Sequence, residues 1–445
     1  MISLNSVHEQ LDHFDPDVRL DALKALTGGR KRPDVGTAFN LHCHSYFSFN
    51  GYGFSPTGLA VRGWEQGLYA MGLVDFDVLD GVDEFLDVCE TLQMRACASM
   101  ETRVFVPEFA DDEINSPGEP GIAYHMGCGF TQGHCADDAL VHELLAMSNK
   151  RTLGLIDRVN AFLNPVVVDF DADLLPLTPG GNATERHVCV AYMQKAEEHF
   201  PDTAARVAYW ADKLGTDLEK IEAILNDGPA LQGLIRSKTM KSGGVGYVQP
   251  SGPDFPKLDA VNAFTRSQGA IPTHAWLDGT TSGEARQDEL MDSMIASGTE
   301  AVNLIPDRSW NITDKDTQAL KVANMHSFVA AAQERHLPVL VGTEMNAYGL
   351  PFVDNFTAEP MKPLYTVFKE GADILHAHTQ LELHGGKGYV SNWASDTFSE
   401  ARDKYAFYAA AGALLSPGNP LHIAMIQEVH EPGTLLEHLK SKASF

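Results

Sequence analysis

The six cysteines of this chain (Cys43, Cys89, Cys97, Cys128, Cys135 and Cys189) include no CxxC pair, which argues against a zinc ribbon and a disulfide framework. They read as reduced thiols, most of them in a core. Long apolar runs are also missing. The longest, such as Pro338–Val341 and Ala406–Leu415, fall far short of the ~20 residues that span a bilayer. The first twenty residues carry Glu9, Asp12, Asp15 and Asp17 and no basic stretch followed by an apolar one, so they do not read as a secretory signal, and a cytoplasmic location is the default expectation. Positive charge is scarce as well. Lys and Arg number 33 against 60 Asp and Glu, a formal net charge of −27, and such a field repels nucleic-acid backbone and anionic lipid. Neither is expected as a partner. A small anionic substrate stays open, because a bound divalent cation reverses the sign locally.

What is present is a long globular chain. Its 445 residues, 44% hydrophobic and 21% charged, can bury a large core. Ser6 to Leu26 reads as one amphipathic helix ahead of the Gly28–Gly29 break. From Ala38 onward, strand-like apolar segments alternate with helical ones, the pattern of βα units around a parallel sheet or barrel. Strands are expected at Phe39–His44, Met71–Asp75, Arg95–Phe105, Ile122–Gly127, Ala270–Trp276, Ala301–Ile305 and Val339–Met345. Helices are expected at Pro56–Gly67, Val82–Gln93, Ala136–Phe162, Arg286–Ala296 and Thr317–Arg335. Between Asn164 and Pro250 the pattern is helical and polar, at Glu185–Phe200, Ala204–Leu214 and Asp217–Asn226. The expected division is an N-terminal appendage (1–37), a first part of the barrel (38–163), a helical insertion that could lid the site (164–250), a second part of the barrel (251–350) and a C-terminal helical extension (351–445).

The sharpest chemical signal is His42-Cys43-His44 at the end of an apolar strand. Residues i and i+2 of a strand face the same side, so both imidazoles can grip one ion. Two hydrogen-bonded histidines would look the same. Other strand ends carry ligand-type residues: Glu101 in SMETRVF, His125 in AYHMG and His274 in IPTHAW. A carboxylate inside an apolar segment needs a cation or a donor. For Glu101 that partner is either a metal or an arginine such as Arg103. Barrel sites lie at the carboxyl ends of the strands. The second HxH, His376 and His378, falls in a helical region, where i and i+2 diverge by ~200°.

With these residues in order, roughly 38 to 350 of the chain resembles the PHP (polymerase and histidinol phosphatase) superfamily. The resemblance rests on HxH, on the Asp-centred strand end Val74-Asp75-Phe76-Asp77, on Glu101, His125 and His274, and on a closing acid at Glu344. Thr184–Val188 is similar to the Arg/His helix start before the family's inserted domain. Asn262–Trp276 is similar to its helix, glycine turn and "AHP" strand, with Ala275-Trp276 after the histidine instead of proline. The resemblance implies a distorted seven-stranded TIM-like barrel, (β/α)7, and metal-dependent hydrolysis of a phosphate ester. It also implies two divalent ions (Zn, Mn or Fe), the first held by His42, His44, Glu101 and Glu344, the second sharing Glu101 and adding His125 and His274. Phe49 or Asn50, Phe76 and Asn346 stand where the family holds a third metal, so no third is expected. A pair of metals would lower the pKa of a water between them. Asp75 is a candidate to orient water, and Arg186 with His187 to bind an anionic group. The expected activity is a phosphoesterase acting on a small phosphorylated metabolite. A binuclear amide or ester hydrolase, and a binding protein of the same fold without catalysis, are the alternatives.

Overall fold

The computed structural model describes residues 4–135 and 138–442. Its centre is one seven-stranded sheet in the order β1 to β7: Phe39–Cys43, Ala70–Phe76, Arg95–Phe105, Ile122–Cys128, Ile271–Trp276, Ala301–Leu304 and Val339–Val341. Each expected strand is present. The sheet curls until its edges meet: Glu344 N–H donates to His42 O and His44 N–H to Glu344 O, both at 2.7 Å, a parallel bridge that joins the end of β7 to β1. The result is a nearly closed barrel. Most strand residues are buried on both faces, as expected for strands sandwiched between an interior and covering helices.

The helices, in chain order, are α1 Leu4–Gln10, α2 Pro16–Thr27, α3 Pro56–Glu65, α4 Val82–Thr91, α5 Ala139–Leu163, α6 Glu185–His199, α7 Thr203–Leu214, α8 Leu218–Ile224, α9 Gly228–Thr239 and α10 Leu258–Ser267. They continue as α11 Gln287–Ala296, α12 Asp307–Trp310, α13 Lys315–Glu334, α14 Tyr365–Gly385, α15 Asn392–Thr397, α16 Ala401–Leu414, α17 Pro420–Glu428 and α18 Pro432–Lys442. The start expected for α5, at Ala136, lies outside the described residues. No helix among the described residues is long and apolar enough to cross a membrane.

Two expectations need correction. The single helix over Ser6–Leu26 is two, because the Asp15 side chain caps α2 by accepting from Asp17 N–H and Pro16 opens it; proline suits a first turn and not a helix interior. The barrel is also not a uniform ring of parallel strands. β4 pairs antiparallel with both β3 and β5. The chain turns back from β3 through a 3₁₀ turn at Pro107–Phe109 without a crossover helix, and a reversal without one yields an antiparallel neighbour.

The C-terminal helices share the barrel's core: Phe368, Leu375 and Leu381 of α14 and Phe407 and Tyr408 of α16 cluster with Val339, Leu340 and Val341. The segment from 164 to 250 contains no strand, as expected, and adds α9 to the three expected helices. It has its own apolar cluster, around Val188, Tyr192, Trp210 and Ile235, joined by Leu155, Ile156, Val159 and Leu163 from α5.

Candidate metal centre

β1 delivers His42 and His44 to the barrel interior, with a bulge between Asn40 and Cys43 in its pairing with β2. Glu101 reaches the same point from β3. All three are buried, at 1%, 0% and 3% exposure, and among the described residues they form the one group of three or more ligand-type side chains close enough to hold an ion. His42 Nε2 and His44 Nε2 are 3.3 Å apart and lie 3.5 and 3.4 Å from Glu101 Oε2.

The outward ring nitrogens decide what these atoms are. His42 Nδ1 lies 3.0 Å from Asn303 Oδ1, an acceptor, so this nitrogen carries the proton. Ser48 Oγ donates to Asp75 Oδ1 at 2.6 Å, which leaves its oxygen to accept from His44 Nδ1–H at 3.0 Å. Both rings are therefore fixed with Nε2 lone pairs pointing at each other and at a carboxylate oxygen. Outer partners that set the tautomer in this way are what a ligating histidine needs. Three lone-pair atoms facing one another repel unless a cation sits among them. Without a metal that cation is a proton. Burial works against protonation of His42, but Glu101, and beyond it Glu344, raise its pKa. Burial alone would raise Glu101, yet positive charge on the two rings facing it, were they protonated, holds its pKa down at about 2. The donor set, two imidazoles and one carboxylate, fits Zn, Mn, Fe or Co.

The other expected ligands are elsewhere. Strand alternation puts Glu101, Arg103, Tyr124 and Met126 on the inner face, through the pairs Glu101↔Met126 and Arg103↔Tyr124. His125 and His274 pair with each other across β4 and β5 on the outer face. There His125 Nε2 meets Asn262 Oδ1 of α10 at 2.6 Å, while Trp276, two residues from His274, stacks on Phe328 of α13. His125 Nδ1 and both nitrogens of His274 have no hydrogen-bond partner. Burial pushes their pKa values down to about 4 and about 3. They belong to the layer between barrel and helices, not to the centre. The expectation that placed His125 at a strand's carboxyl end fails because β4 runs backwards and His125 is its fourth residue.

Glu344 is at the mouth but not in the cluster. It and Met345 adopt left-handed backbone, φ 63° and 57°, a conformation that costs energy in residues other than glycine and concentrates at functional sites. Its Oε2 accepts from Arg308 NH2 at 2.5 Å and from Asn346 Nδ2 at 3.4 Å. Sequence reasoning missed Arg308, Asn303 and Tyr124. Arg308 follows β6 at its carboxyl end, the position from which barrel sites are built, and that was its signal.

Asp75 does not face the cluster. Its oxygens accept from Ser45 N–H, Ser45 Oγ and Ser48 Oγ, so it positions His44 through Ser48. Phe76 stacks on His44 with ring centres 4.4 Å apart. The insertion reaches this end of the barrel: Asn182 Nδ2 donates to Phe76 O at 2.6 Å and the His187 ring meets Phe49 edge-on at 5.0 Å. His187 Nδ1 accepts from Thr184 N–H, so it caps α6, and burial lowers its pKa to about 4. Arg186 binds Gln232 Oε1 at 3.3 Å and senses the charge of Glu344. His376 and His378 are buried in α14, the latter against Gly129 O. The alternative partner considered for Glu101, Arg103, pairs instead with Glu119 at 3.0 Å.

No family model matches the sequence, and no curated protein does. Among solved structures, the chain is similar to an amidohydrolase from Chromobacterium violaceum with bound sulfate and no metal (TM-score 0.48, 14% identity, 75% of this chain and 96% of the other). It is also similar to a structure described as a metal-dependent phosphoesterase from Bifidobacterium adolescentis (TM-score 0.45, 16% identity, 72% and 91%). Likenesses this distant assign no residue a role.

Proposed function

We propose that the chain is a metal-dependent hydrolase of the PHP kind, with one divalent ion held by His42 Nε2, His44 Nε2 and Glu101 Oε2. The observation that carries this is the pair of outer partners, Asn303 for His42 and Ser48 for His44, which leaves three buried lone-pair atoms converging within 3.5 Å. The reading has one ion fewer than the sequence suggested, because His125 and His274, expected to add to Glu101 for a second ion, face outward, and Glu344, expected to complete the first, binds Arg308 instead.

A divalent ion at this point supplies Lewis acidity and lowers the pKa of a coordinated water toward neutrality. The protein's own groups would do the rest. Asn303, Ser48 and Asp75 hold the two rings in the ligating tautomer. The Tyr124 phenol, pushed above its ordinary value by burial and left protonated, keeps a donor on the inner face beside Glu101. Arg308 and Arg186 bring guanidinium charge to the mouth, which favours an anionic ester over a neutral amide. A small phosphate ester is the substrate class that fits this charge.

The test has two parts. Elemental analysis after dialysis should find about one divalent ion per chain, and a panel of phosphate mono- and diesters, run beside amides and lactones, should show turnover only with the esters of phosphate. A protein that retains no metal, or one that hydrolyses lactones or amides instead, overturns the reading.

A further inference from the structure

Resting on that reading, we propose that the Arg308 guanidinium takes the part of a second metal ion, by holding Glu344, keeping a further cation away from it and offering its remaining donors to the substrate's anionic oxygens. Glu344 closes the barrel at the mouth, beside His44 in the bridge between β7 and β1. A carboxylate there, 7% exposed, requires a cation. The cation present is Arg308 at 2.5 Å, with its side chain 45% exposed and therefore open to the approach of a ligand. Only NH2 of its guanidinium is bound to Glu344, and guanidinium carries five N–H donors in a fork matched to anionic oxygen pairs.

Placement by the fold supports the same assignment. Asn303, which orients His42, and Arg308, which holds Glu344, lie five residues apart on β6 and the turn that follows it, so one strand end serves both halves of the centre. The histidines that could have completed a second ion's ligand set are turned to the outer face. With Arg308 on Oε2, the charge of Glu344 is already paired, and a dication would have to compete with a guanidinium for it. The guanidinium charge is in turn supported first by Glu344, against the cost of burial, and then by Glu101 and Tyr124, so it belongs to the same electrostatic unit as the triad.

Calorimetric titration of metal-stripped protein with Mn²⁺, and separately with inorganic phosphate, tests this. The wild type and Arg308→Lys should take about one Mn²⁺, Arg308→Ala should add a second, weaker binding event at the freed Glu344 carboxylate, and the double variant Arg308→Ala/Glu344→Gln should return to about one. Phosphate affinity should fall about tenfold in Arg308→Ala and recover in part in Arg308→Lys, since lysine restores the charge without the fork. Arg308→Met, which keeps the aliphatic stem, serves the same comparison if the alanine variant does not fold. A wild type that takes two Mn²⁺, or an Arg308→Ala protein with wild-type stoichiometry and phosphate affinity, overturns the role of Arg308 and leaves the metal reading standing. A wild type that takes none overturns both.

Discussion

The inner and outer faces of the same barrel wall each carry a pair of histidines, and the two pairs have different fates. On the inner face, His42 and His44 meet a carboxylate and each has an outer partner that fixes its ring. On the outer face, His125 and His274 have no carboxylate, their ring centres are 6.5 Å apart, and three of their four nitrogens lack a hydrogen-bond partner. The inner pair is held where a cation is wanted. The outer pair is held neutral by burial. Residue type does not distinguish them; the phase of strand alternation and the second layer of partners do.

Removing one inner ligand should have the largest effect. His44→Ala or Glu101→Gln should abolish metal retention, measured by elemental analysis, and lower kcat/KM for the best phosphate ester on the order of a thousandfold or more. Residual activity near the wild type would mean that chemistry is located elsewhere. The partners behind the ligands come next. Ser48→Ala and Asn303→Ala should weaken metal affinity about 10- to 100-fold without removing a ligand atom, and an unchanged affinity would show that tautomer control is unnecessary.

The outer face should register in stability rather than in metal binding. His125 and His274 have folded pKa values depressed to about 4 and about 3 from an unfolded value of 6.5. Their contribution is therefore complete above pH 6.5 and is lost as pH falls toward those values, at up to about 1.4 kcal/mol per pH unit for each group. His274→Asn should flatten this acid limb in denaturant titrations between pH 6.5 and 4. Its metal content should stay at the wild-type level, the smallest effect expected. A loss of metal in this variant would return the outer pair to the centre.

Much of this arrangement was legible before the structure. All seven strands could be read because each is a short apolar run bounded by polar turns, and His42, His44 and Glu101 stood out as ligand types at the ends or inside of such runs. The phase of β4 was not legible. The reversal between Phe105 and Ile122 depends on which neighbour the strand finds in space, and nothing in AYHMG distinguishes an inward Tyr124 from an inward His125. Arg308 was passed over because a half-exposed arginine after a strand is ordinary, and only its contact with Glu344 shows what it does. The break between α1 and α2 was in plain sight at Asp15-Pro16.

The most direct test of the central claim is an anomalous difference map from a crystal of the wild type soaked in Mn²⁺ or Zn²⁺. A single strong peak within about 2.0–2.3 Å of His42 Nε2, His44 Nε2 and a Glu101 oxygen, with no density beside His274, is the result this account predicts. A peak between His125 and His274, or none at the inner three, would contradict it.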